Sequence, residues 1–271
     1  MSGFSVDWLA LREPADHAAR NGEMVARVAG WFGRRDTISI VDLASGTGST
    51  VRAIADQLPS RQLWTLTDND AALLQHAEAT SAGRPGLTIK TRRVDLNEPL
   101  DALFVPAPDL VTTSAFLDLV STDWIERLAA ALVAANLPFY GALSYDGRMD
   151  FDPCLALDER VRELVNTHQH GDKGFGAALG PDAVAVFQNT MEQRGWIVHV
   201  ARSDWVLKPE DAGLVTPLLA GWASAASEIA PHEVGAIDGW RTTRQAAIKK
   251  PSGRVTVGHL DCFAVPPVAA G

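Results

Sequence analysis

At 271 residues, 46% hydrophobic and with a formal net charge of −9, the chain can bury one substantial core but has no basic excess to hold a phosphate backbone. Nucleic acid is therefore not an expected partner, and the basic pairs Arg92-Arg93 and Lys249-Lys250 read as solvated surface. Cys154 and Cys262 form no metal or disulfide pattern, and the most apolar stretch, Leu128–Leu143, is interrupted by Asn136 and Pro138 and too short for a bilayer. With no secretory leader pattern in Met1–Pro14, a soluble cytoplasmic protein without a membrane partner is expected.

Residues 1–35 read as helical, with Val25, Val28, Ala29 and Phe32 on one face; Asp16 and Arg20, four apart, have the spacing of an ion pair. Next comes the most informative stretch, Ile38-Ser-Ile-Val-Asp42-Leu-Ala44-Ser45-Gly46-Thr-Gly48-Ser-Thr50. A β-branched run ends in an acid, passes through small residues and opens into a helix with Val51, Ile54, Ala55 and Leu58 on one face. Strand, glycine turn and helix in this order place a nucleotide-like ligand at the carboxyl end of a sheet. A phosphate loop would need Gly-Lys-Ser/Thr, and no lysine stands between Arg35 and Lys90. A dinucleotide turn would want Gly or Ala where Val51 stands, which disfavours a nicotinamide-dependent oxidoreductase.

The strand Leu63–Thr67 runs into Asp68-Asn69-Asp70, an acidic cluster about 26 residues after Asp42. Either it caps the helix Ala71–Ala82 or Asp68 accepts hydrogen bonds from a ribose diol, and both roles are compatible if Asp70 does the capping. A strand near 87–91 leads to Asp95-Leu96, and another near 109–113 leads to Ser114-Ala-Phe-Leu-Asp118. The helix Thr122–Ala135 and a strand near 139–145 complete an alternation that predicts a parallel sheet covered on both faces. Residues 146–180 break the pattern with Asp, Pro and Gly. A helix near Pro181–Arg194 and strands near Trp196–Leu207 and Arg254–Val265 follow, with two helices expected between those strands.

The turn at Asp42–Gly48, the acid Asp68, the pair Asp95-Leu96 and the segment around Ser114 stand in order within about 80 residues. Together they resemble motifs of the class I S-adenosylmethionine (SAM)-dependent methyltransferases, with Ala44 in a slot where that family has glycine. The resemblance covers residues 38–145 well and the ends loosely. It implies a single domain over 1–271 with a doubly wound, mostly parallel seven-stranded α/β sheet whose last strand is antiparallel. It also implies a lid at 1–35, insertions at 146–180 and 208–250 forming a substrate-side cap, and SAM as cofactor. The cofactor-binding residues it implies are Arg20, Asp42, Ala44, Ser45, Gly46, Gly48, Asp68, Asn69, Asp95, Leu96 and Ser114, with Arg20 or Arg12 on the methionine carboxylate.

The acceptor side is less sharply marked. His168-Gln-His170 precedes a glycine-rich loop around Lys173 and Phe175. These histidines can be solvated or capping, can bind an acceptor or take its proton, or can form a metal pair for which no third ligand stands at motif spacing. Tyr145, at the end of the fifth strand, is a further candidate facing the cleft, with Tyr140 expected on the opposite, core-facing side. Trp205, Trp222 and Trp240 read as core or as walls of an apolar site. The expected activity is methyl transfer to an O, N or C nucleophile of a small molecule, no metal being expected; the alternative is a SAM-binding regulatory or interaction protein without transfer activity.

Overall fold

The structure is a computed structural model describing residues 4–33 and 35–267. Ser5 caps α1 (Val6–Ala19) by accepting from the Trp8 amide, and Asn21 caps α2 (Gly22–Phe32) in the same way at Met24. The helical 1–35 segment is thus two helices, with residues 1–3 and Arg34 outside the described part. The break explains a correction. Arg20 leaves helical geometry (ψ 134°), so the expected Asp16–Arg20 pair does not form. Arg12 takes Asp16 instead, with its Nε 2.9 Å and Nη2 3.1 Å from the two carboxylate oxygens, and Trp205 Nε1 also donates to Asp16.

The chain then alternates through β1 (Thr37–Leu43), α3 (Ser49–Ile54), β2 (Arg61–Asp68), α4 (Ala71–Ser81), β3 (Leu87–Arg93), β4 (Leu110–Ser114), α5 (Thr122–Ala135) and β5 (Phe139–Asp152). It continues through α6 (Asp158–Gln169), α7 (Ala183–Glu192), β6 (Ile197–Arg202), β7 (Trp205–Leu207), α8 (Ala212–Ile229), α9 (Val234–Ile248) and β8 (Arg254–Val265). The sheet runs β3-β2-β1-β4-β5-β8-β6, with β7 also paired to β8. Pairing is parallel from β3 to β5, and β8 runs antiparallel to β5, β6 and β7. The doubly wound sheet with an antiparallel last strand is therefore as the resemblance implies.

It has eight strands rather than seven because the stretch Trp196–Leu207 breaks at Ser203-Asp204. There Asp204 turns its carboxylate to Arg148, at 2.6 and 2.9 Å, instead of continuing one strand. Two further departures lie in 146–180. β5 runs on to Asp152 because β8 pairs along it as far as Arg254, and α6 forms where Val161, Leu164 and Val165 share a buried face. Bulges between Gly141 and Ser144 and between Tyr145 and Met149 interrupt strict alternation along β5.

One sheet face packs against α5 and α7 through Leu128, Leu132 and Phe187, the other against α2, α3 and α4 through Val28, Ile54 and Leu74. A third cluster unites Met149, Leu164, Trp205, Leu219 and Trp240 where α6, α8 and α9 cover the extended ends of β5 and β8. Asp158 anchors that cluster, accepting from Arg244 and, at 2.8 Å, from Trp240 Nε1. Among the described residues no helix is long and apolar enough to cross a membrane.

Candidate functional site

In open α/β sheets ligands lie beyond the carboxyl ends of the strands where the strand order reverses, here between β1 and β4. The turn leaving β1 has the backbone expected of such a place: Ala44, Gly46 and Gly48 all have positive φ, at 49°, 53° and 79°. Ser45 donates its amide to the Thr67 carbonyl, and Gly46 donates to Asp68 Oδ2, each at 2.9 Å, so the turn is fixed to the end of β2. Ala44 is the one of the three with a Cβ, and a left-handed L-residue costs about 1–2 kcal/mol. Ala44→Gly relieves that cost and returns part of it as unfolded-state entropy. It is expected to raise the melting temperature by about 1–3 °C; a fall would show that the methyl is needed for packing.

Asp42, at the end of β1, is fully buried. Thr112 Oγ1 donates to its Oδ1 at 2.7 Å, while Oδ2 has no partner. Burial pushes its carboxyl up to about 6 against the opposing pull of Thr112 and Arg20. Arg20 is buried too; its Nη2 donates to Ser114 Oγ at 3.1 Å, and its Nε and Nη1 are without partners. Burial works against its charge, but Tyr140 and Asp261 outweigh that and hold the guanidinium protonated. Ser45 Oγ is likewise buried and unpaired. Arg20, Asp42, Ser45 and Ser114 thus bring unused hydrogen-bonding capacity to one crevice.

Asp68 forms its rim. It is half-buried, and its oxygens accept from the Gly46 and Asp70 amides with further lone pairs open. Asp70 caps α4 by accepting from Ala72 and Leu73, as its position predicts. Asn69 is exposed, and its carbonyl accepts from Arg93. Asp95 is also exposed and holds Asn97, whereas Leu96 is buried in the core with Phe116 and Trp124. Overhead, α1 crosses the turn: Glu13 accepts from Arg52 through both oxygens at 2.6 Å, and His17 Nε2 lies 3.1 Å from Ser49 Oγ.

The three acceptor-side candidates are engaged elsewhere. The Tyr145 hydroxyl donates to Asn166 at 2.7 Å, and burial drives its ionisation well above the ordinary tyrosine range. His168 lies between Glu228 and Lys173; His170 is exposed, near Asp182 and the Ala178 carbonyl. Tyr140 is on the core side, its hydroxyl donating to Asp261. The glycine-rich loop is fastened by Phe175, edge-on to Phe116 and Trp124, and by Asn97 donating to the Gly174 carbonyl. Among the described residues no group of three or more metal-ligating side chains could hold a metal ion.

Sequence reasoning gave no role to two buried groups on this side of the sheet, Asp118 and His259. Asp118 follows β4, with its Oδ1 unpartnered and burial pushing it up to about 6. His259 on β8 packs against Trp205 and Tyr145, has an unpaired Nδ1, and is driven down to about 3 by burial and by Arg12, so it is neutral. The available signal for Asp118 was an acid inside the apolar run Ala115–Val120.

No protein-family model and no curated protein matches the sequence. Among solved structures, the cyclopropane synthase MmaA2 from Mycobacterium tuberculosis is similar over 96% of this chain and 94% of its own, with TM-score 0.52 and 13% identity. A cyclopropane-fatty-acyl-phospholipid synthase-like protein from Lactobacillus casei is similar over 97% and 95%, again with TM-score 0.52 and 13% identity. At such identities the likeness is one of fold, and it spans nearly the whole of each chain.

Proposed function

We propose that this chain is a SAM-dependent methyltransferase acting on an O, N or C nucleophile of a small molecule. The observation that carries the reading is Arg20: a buried guanidinium with two unpartnered donor nitrogens, set between Ser114 and the turn after Asp42. A planar cation with free donors suits a carboxylate, and the methionine end of SAM has one. Asp42 Oδ2 and Ser45 Oγ, also unpaired, provide acceptors for the neighbouring ammonium. Asp68 takes the ribose hydroxyls, with Asn69 beside it; Asp95 and Leu96 stand on the adenine side. Ala44, Gly46 and Gly48 keep side-chain bulk away from the backbone there.

When bound, the cofactor supplies a sulfonium methyl that is already electrophilic. The protein's share is to desolvate and align, which can account for roughly 7–11 kcal/mol of barrier lowering. In this reading α1 and α2 form a lid that excludes water. The extension of β5 with α6 and the α8–α9 pair cover the acceptor, making 146–180 and 208–250 the substrate-side cap of one domain. A net charge of −9 argues for a small acceptor rather than nucleic acid.

The first experiment is a thermal-shift comparison of SAM, its demethylated product S-adenosylhomocysteine, and NAD. Stabilisation by the first two alone is expected, and stabilisation by NAD alone would overturn the reading. Methyl-labelled SAM with a pooled metabolite extract then separates an enzyme from a SAM-binding regulatory protein, which would bind and label nothing. Arg20→Met is expected to lower SAM affinity at least tenfold, about 1.4 kcal/mol. Unchanged affinity by calorimetry would remove Arg20 from the carboxylate.

A further inference from the structure

Five carboxylates are buried among the described residues: Asp16, Asp42, Asp118, Asp158 and Asp261. Three are fully engaged. Asp16 accepts from Arg12 and Trp205, Asp158 from Arg244, Trp240 and the Leu155 amide, and Asp261 from Asn21, Tyr140 and the Leu143 amide. Asp42 and Asp118 each keep a buried oxygen without a partner. A buried acceptor left unpaired is costly and is retained where something else uses it. Asp42 lies at the end of the crevice assigned to the cofactor. Asp118 needs a different explanation.

Its place in the fold supplies one. Asp118 lies four residues after Ser114, the partner of Arg20, in the short turn Leu117–Leu119 beyond the carboxyl end of β4. The glycine-rich loop closes over that turn, with the Leu179 amide donating to the Val120 carbonyl at 2.8 Å and Phe175 set against Phe116. The charged and titratable groups around it come from every neighbouring element: Arg12 from α1, Lys173 from the loop, Tyr145 from β5 and, sharing the influence of Arg12, His259 from β8. Of these, Arg12 is committed to Asp16, Lys173 donates to the His168 carbonyl, Tyr145 donates to Asn166, and His259 is neutral. Besides that of Asp42, the free oxygen of Asp118 is the one buried carboxylate oxygen without a partner among the described residues.

Building on the methyltransferase reading, we propose that Asp118 is the general base of the transfer, taking the proton of a hydroxyl or amine acceptor as that oxygen or nitrogen attacks the methyl carbon. The acceptor's lone pair forms the new bond to carbon. The carbon–sulfur bond breaks with its electron pair going to sulfur, leaving a neutral thioether. The proton passes from the acceptor to the carboxylate of Asp118 and leaves to solvent with the product. The acceptor class is thereby narrowed from O, N or C to a neutral O–H or N–H nucleophile. A base whose pKa lies just below the working pH is ionised and still a competent proton acceptor.

The test uses the full chain with methyl-labelled SAM and a pooled small-metabolite extract. Asp118→Asn should leave SAM affinity within about threefold by calorimetry while label transfer falls at least a hundredfold. At saturating SAM, where protonation of Asp42 no longer limits cofactor binding, wild-type transfer should decline below about pH 6, a limb that the residual activity of the variant lacks and that Asp118→Glu restores. Independently of any acceptor, carboxyl-carbon NMR of the wild-type protein should show two aspartates that titrate near pH 6, Asp42 and Asp118, of which one disappears in Asp118→Asn. Wild-type protein that binds SAM, with a variant that transfers at the wild-type rate and keeps the acid limb, overturns this inference alone. Titration of Asp118 in the ordinary aspartate range, or labelled products methylated only on carbon, does the same. Wild-type protein that fails to bind SAM overturns the methyltransferase reading and this inference with it.

Discussion

Gly46→Val is expected to abolish measurable SAM binding, a loss beyond a hundredfold, and to lower the melting temperature of the unliganded protein as well. Gly46 has a φ of 53°, where a β-branched residue is a genuine outlier. A Cβ there would stand 3.3 Å from Leu9 Cδ1, so the first branch of valine meets α1 before any ligand is present. Relief requires the backbone to rotate, and the Gly46 amide then leaves Asp68 Oδ2. One substitution therefore disturbs the turn, the helix α1 above it and the acid beside it. Gly46→Ala should be intermediate, because Ala44 shows that this turn holds a single methyl at positive φ. Calorimetry with SAM decides it, and unchanged affinity in the valine variant would place the ligand away from this turn.

Asp68→Ala is the second large effect, expected at a hundredfold or more in SAM affinity. Hydrogen bonds to a charged group contribute about 1.5–3 kcal/mol each, and a ribose diol offers two. The alanine variant also leaves the Gly46 and Asp70 amides without their acceptor. A SAM analogue without the ribose 2′-hydroxyl separates these contributions. It should bind wild-type protein more weakly than SAM does but show a much smaller difference in Asp68→Ala, a coupling that pure loosening of the turn would not produce. Equal losses in both proteins would show that Asp68 supports the turn without touching the sugar.

The turn itself was legible because its requirement is local. Residues that must take positive φ are small wherever they occur, and the flanking strand and helix have their own periodicities. Asp70 as a cap was legible for the same reason. The Asp16–Arg20 spacing misled because it assumes one continuous helix, and the tertiary attraction of Ser114 and Asp261 pulls Arg20 and Asn21 out of it. The extension of β5 was hidden because its partner strand lies about a hundred residues away, and no local pattern encodes that pairing. α6 did carry an apolar face at Val161, Leu164 and Val165, but its acidic start after Asp-Pro obscured it. Asp118 was visible only as an acid in an apolar run; what singles it out is burial without a partner, a property of the packed chain and not of its spacing.

The Asp261 carboxylate on β8 receives the Asn21 amide at 3.1 Å, the Tyr140 hydroxyl at 3.0 Å and the Leu143 amide at 2.9 Å. The residue before Asn21 is Arg20, so the guanidinium assigned to the cofactor is held in place by a strand 240 residues further on. During synthesis β1 to β5 can pair as they emerge, since their partners are close in sequence. The crevice between β1 and β4 would then exist as a shape long before it could clasp anything. The contact between Asn21 and Asp261 can form only once the segment Arg254–Val265 has been made and lies between β5 and β6. A nascent chain that stops short of that segment has the glycine turn and Asp68 but leaves Arg20 without the anchor next to it. In the methyltransferase reading, unfinished copies are therefore expected to bind the cofactor more weakly than finished ones.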